Sequence, residues 1–118
     1  MRSNGTRSKI DVIDSHIHVT TSKLKNEWIE NESEAFRCGG VWTLKRYMEE
    51  MGRSERFNVE AVVFIECFNT PSLDEAKWAL EMCKDTMVEA VVAHIPCREG
   101  ASAVRKFLNA LRDESGRL

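Results

Sequence analysis

The chain has 118 residues, enough for one domain with a modest core, and its 17 lysines and arginines nearly balance its 19 aspartates and glutamates. That balance provides no basic stripe for nucleic acid and no like-charge block for a solvated tail. No apolar run approaches the ~20 residues that cross a bilayer, and the polar start MRSNGTRSK has no signal-peptide core, so a soluble, cytoplasmic chain is expected.

Residues 1–8 read as a disordered lead-in to a domain over 9–118. The first strand is expected over 9–19. Its apolar residues Ile10, Val12, Ile13, Ile17 and Val19 suit a parallel strand buried on both faces. Side chains alternate along a strand, which puts Asp14, His16 and His18 on one face above Ile10 and Val12, with Ile13, Ile17 and Val19 opposite. Two imidazoles and a carboxylate gathered near a strand end form a candidate metal centre, because neutral imidazole is the commonest protein metal ligand. The competing reading is a hydrogen-bonded histidine pair without metal, or two histidines on a solvated face.

From Thr20 to Gly40 the chain is polar, a long connection of the kind that often carries function. Trp28 within it is expected either to anchor the loop on the rim or to wall a substrate pocket. A helix follows over Val41–Met51, with Val41, Leu44, Met48 and Met51 as its apolar stripe. The run VEAVVFIEC, Val59 to Cys67, reads as a buried second strand. Glu66 near its end is either paired, hydrogen-bonded or metal-bound in the pocket, or a carboxylate at the solvated rim.

Ser72-x-x-Glu75 has the form of a capping box opening a helix whose inner face carries Ala76, Ala79, Leu80, Cys83 and Met87. A third strand is expected over Val88–Ile95, with His94 near its carboxyl end as a structural or pocket-lining residue. The last helix is expected over Gly100–Arg112, with Val104, Phe107, Leu108 and Leu111 inward. The four cysteines have no C-x-x-C spacing and read as free thiols, buried at Cys67 and Cys83.

Alternating strands and helices imply an α/β fold with parallel pairing. No glycine-rich phosphate loop follows a strand, and no serine or cysteine sits in a nucleophile elbow, so no catalytic nucleophile is identifiable. IDSHIHVT at the end of the first strand, followed by VVFIEC and VVAHIP, resembles the amidohydrolase-related family of metal-dependent TIM-barrel hydrolases. The second-strand glutamate and DEAKWALEMCKD look most like its lactonase branch.

The resemblance implies the first three strand–helix units of a (β/α)8 barrel, an incomplete or truncated one. It implies His16 and His18 as ligands of a divalent ion, zinc or else manganese, with Asp14, Glu66, Trp28 and His94 as supporting or pocket residues. The expected substrate is a small lactone or cyclic amide attacked by metal-activated water. The alternatives are a TatD-like or phosphoesterase-like hydrolase, or a non-catalytic fragment that associates through its exposed sheet edge.

Overall fold

The β-branched runs and the amphipathic segments between them alternate in space as they do in sequence. The computed structural model describes residues 8–26 and 41–115. Strand β1 spans Ile10–Ile17, helix α1 Leu44–Gly52, strand β2 Phe57–Ile65, helix α2 Ser72–Asp85, strand β3 Val88–Val92 and helix α3 Ala101–Ser115. A single 3-10 turn at Cys97–Glu99 precedes α3. The strands form one parallel sheet in the order β1-β2-β3.

Consecutive strands that lie side by side, joined by crossovers of one hand, bring their helices to one face of the sheet. The core shows this. Leu44 from α1 and Ala79 from α2 pack with Ile17, Val19, Val62, Phe64 and Val88, and Trp78 meets the Phe64 ring edge-on at 5.7 Å between centroids. A smaller cluster of Ala76, Phe107 and Leu111 fixes α3 against α2. The expected α/β alternation with parallel strands is present as three strands of one sheet.

Helix α1 starts where Thr43, extended at φ −82° and ψ 160°, accepts the Arg46 amide through its hydroxyl at 3.2 Å. That cap removes one orphan donor of the first turn. The inward face of α1 is rotated from the expected stripe. Leu44 is buried and Tyr47 packs on the core with Trp42, whereas Val41 and Met48 are exposed. The Arg46 guanidinium lies 4.0 Å over the Trp42 ring, which shields that aromatic face.

Three further expectations change. Burial of β1 on both faces does not hold among the described residues, because helices cover one face only. Ile13 in β1 is 69% exposed and Val92 in β3 is 50% exposed, both on the face away from the helices. The capping box is also absent. Ser72 is already helical, Pro71 occupies the cap position without a side-chain bond, and Glu75 turns into the interior. At the far end, Leu108 is more exposed than its place on the apolar face of α3 suggested. Trp28 and Cys38 lie outside the described residues.

Candidate metal centre

Parallel strands bring their carboxyl ends to one edge, so residues just beyond Ile17, Ile65 and Val92 become neighbours although they are far apart in sequence. His18 follows β1, Glu66 follows β2 and His94 lies two residues past β3. His16, near the end of β1, and His18, just past it, are both exposed at this edge. Their Nε2 atoms are 3.0 Å apart and the rings meet nearly perpendicular, at 76°.

The hydrogen bonds determine the tautomer. His18 Nδ1 lies 3.2 Å from the carbonyl oxygen of Ile65. A carbonyl only accepts, so Nδ1 of His18 carries the proton, and the Nε2 of the neutral ring presents its lone pair toward His16. Without metal, His16 Nε2–H donates to that lone pair. Metal-ligating histidines are commonly held in this way, by a backbone carbonyl on the other ring nitrogen.

The spacing fits shared ligation. Two nitrogens each ~2.0–2.1 Å from one ion in tetrahedral array are about 3.3–3.4 Å apart, so the pair needs to open by only a few tenths of an ångström. Among the described residues no group of three or more His, Cys, Asp or Glu side chains could hold an ion. The pair therefore fits as two ligands of a set and not as a complete one.

Asp14 does not share the histidine face. The register shifts between Asp14 and Ile17, where three steps along β1 match two along β2. This one-residue bulge reverses the alternation, so Asp14 points toward the helix layer while Ile17, three residues on, also does. Tyr47 of α1 donates to Asp14 Oδ2 at 2.7 Å, and Asp14 Oδ1 accepts the backbone N–H of His16 at 3.1 Å. Asp14 thus ties the backbone at His16 to α1 and contacts neither ring through those oxygens. Burial and the adjacent Asp14 carboxylate push the Tyr47 phenol up, so it remains a donor at ordinary pH.

Glu66 and His94 are brought together in a cavity of about 240 Å3 at the ends of β2 and β3. Glu66 Oε2 accepts the Phe68 N–H at 3.0 Å, and Glu66 N–H pairs with the Val92 carbonyl at 2.9 Å. A cavity of about 610 Å3 opens between α1 and α2 on the helical face and is lined by neither histidine.

Sequence reasoning missed the polar network beneath this rim. Glu75, 2% exposed, accepts at Oε1 both the Cys67 N–H at 2.7 Å and the Asn69 side-chain amide at 2.9 Å. Asn26 donates to the Cys67 carbonyl at 2.7 Å and to Asn69 Oδ1 at 3.1 Å. The network joins Asn26, in the connection that follows β1, to the turn between β2 and α2. A glutamate on the inner face of an apolar helix was its one legible sign. Burial raises the Glu75 carboxyl above its ordinary value. The bonds from Cys67 and Asn69 pull the other way, and the nearby Glu66 charge adds to the rise.

The same burial, reinforced by the Glu75 and Glu66 charges, pushes the Cys67 thiol up to about 11. A thiol so disposed is a poor nucleophile near neutral pH. Mass mapping after brief iodoacetamide treatment should therefore find Cys97, which is exposed, modified well before Cys67. Prompt labelling of Cys67 in the folded chain would contradict its burial.

No family model, curated protein or solved structure matches the chain.

Proposed function

We propose that the chain carries the first part of the active site of a metal-dependent hydrolase of the amidohydrolase-related type, acting on a lactone or cyclic amide. The observation that carries this reading is the His16–His18 pair, with Nε2 atoms 3.0 Å apart at the carboxyl edge of a parallel sheet. Chemistry in barrels of parallel strands gathers at that edge. Strands wound in the order β1-β2-β3, with α1 and α2 on one face, agree with the opening units of such a barrel, whose interior would be the face bearing Ile13 and Val92.

His16 and His18 would hold the ion, zinc or else manganese, through Nε2. When bound, a divalent ion supplies Lewis acidity toward a carbonyl oxygen and toward water. The chain's own part is positional. The Ile65 carbonyl keeps the His18 lone pair directed outward, and Asp14 anchors the backbone of His16 to Tyr47. Glu66 and His94 line a cavity at the ends of β2 and β3, at the same sheet edge, where a small substrate would sit. Two histidines fall short of the three or four protein ligands of a zinc site, so the reading calls for further donors beyond the described residues or from another chain.

Metal titration of the full chain tests this. One zinc or manganese per site, bound by the wild type and lost in the His16→Ala/His18→Ala double variant, is the expected result. Binding that survives the double substitution, or no binding by the wild type, would remove the metal reading.

A second reading is favoured by one specific observation. Ile13 and Val92 lie exposed on the helix-free face, and β1 and β3 are the outer strands of the three. An apolar sheet face that no described helix covers, with two outer strands, suits association with a second copy or another partner.

A further inference from the structure

The cavity at the ends of β2 and β3 has a lining of distinct chemical character. One wall is Glu66 and His94. The floor is Asn69 and Glu75, 1% and 2% exposed and held by the Asn26–Cys67 network. Phe68 stands at the rim, 60% exposed as a residue, an unusual position for a large aromatic. It also has a left-handed backbone at φ 55°, a conformation seldom adopted by bulky residues, and Glu66 Oε2 holds its N–H there.

The lining is rich in acceptors. Among the described residues Glu66 Oε1 and both ring nitrogens of His94 carry no hydrogen bond, and no lysine or arginine lines the cavity. A carboxylated ligand would bring its negative charge against Glu66 with no cation to meet it, a costly arrangement in a partly desolvated pocket. A protonated amine would instead place its three donors among Glu66, His94 and the Thr70 hydroxyl. Its carbon skeleton would cover the exposed Phe68 ring, where cation–π attraction adds to the contact.

We infer that this cavity is the binding site for a small primary ammonium attached to an apolar group. Glu66 is the charge partner and Phe68 the apolar wall. As a subsite of the hydrolase this rests on the reading of the histidine pair given above, and it selects an amine-bearing substrate of the cyclic amide class over a carboxylated lactone. Binding of the amine itself needs no metal.

A matched pair of probes, 2-phenylethylammonium and 3-phenylpropanoate, differs chiefly in the charge of its polar end. Both are titrated into the 15N-labelled full chain with EDTA present, so that the outcome is independent of metal at His16 and His18. The expected result is saturable movement of the Phe68, Asn69, Thr70 and His94 amide signals with the ammonium and little with the carboxylate. Glu66→Gln should weaken the ammonium by about tenfold, as loss of a charge-assisted bond implies, and the variant's spectrum reports whether it folds. Equal or tighter binding of the carboxylate, movement confined to other residues, no response to either probe, or an unchanged affinity in a folded Glu66→Gln chain would each overturn the inference. Failure of metal binding in the separate titration would remove the hydrolase reading and leave the amine site standing.

Discussion

Glu75→Ala is expected to destabilise the fold by about 2–4 kcal/mol, whereas Glu75→Gln should lie within about 1 kcal/mol of the wild type at neutral pH. The difference comes from Oε1. That single atom accepts the Cys67 N–H and the Asn69 amide, both buried, and alanine leaves the two donors without a partner. Glutamine keeps an oxygen in the same position and carries no charge, so it retains the bonds without the desolvation that raises the carboxyl. The pH dependence has a definite sign. The native carboxyl is raised above its ordinary value of 4.5, so in the window above that value the folded state binds more protons than the unfolded state. Stability from this group is present below the unfolded value and is lost as pH rises through the raised native value. Urea melts of wild type across mildly acidic to neutral pH should show that decline, and Glu75→Gln should flatten it. A Glu75→Ala chain as stable as the wild type, or a glutamine variant with the same pH slope, would show that the network is not arranged as described.

The capping box is instructive about what a sequence can disclose. Ser72 and Glu75 have the spacing of a reciprocal N-cap, and in an isolated helix that local pair would be favourable. In the folded chain Glu75 instead answers two donors released where β2 ends, at Cys67 and Asn69, and a buried donor without a partner costs more than an exposed cap contributes. No local pattern encodes that competition, because Asn26 and Asn69 lie in stretches that read only as loop or break, and Cys67 reads as the apolar end of a strand. The three strands and three helices were legible for the opposite reason: β-branched runs and apolar periodicity record burial residue by residue. Their ends moved by a few residues, since fraying and capping depend on neighbours.

The bulge in β1 lies between these cases. Alternation correctly brings His16 and His18 together, two residues apart, but it wrongly carries Asp14 to the same face. One extra residue between Asp14 and Ile17 reverses the phase without altering the composition. It has a consequence for the site. Because the strand is bulged, Asp14 turns toward the helix layer together with Ile17 and Val19, while both imidazoles remain outside the core. The carboxylate that precedes them is then free to bind Tyr47.

On the proposed metal reading, that geometry should make the two histidines strongly interdependent. Removing either one should lower zinc affinity on the order of 100-fold or more, since even a supporting partner of a ligand is worth 10–100-fold. The double variant should then lose little beyond the worse single variant, because one exposed imidazole no longer chelates once its partner is gone. The signature is a large coupling in the double-mutant cycle, not additive losses. Isothermal titration of His16→Ala, His18→Ala and the double variant provides it. His18 has the firmer ground state, as its Nδ1 is held by the Ile65 carbonyl in the tautomer a metal requires, whereas no protein partner is described for the Nδ1 of His16. His18→Ala should accordingly cost at least as much as His16→Ala. Additive, modest losses from the two sites would mean that the nitrogens act separately. The 3.0 Å approach of their Nε2 atoms would then be a hydrogen bond between two rings and nothing more.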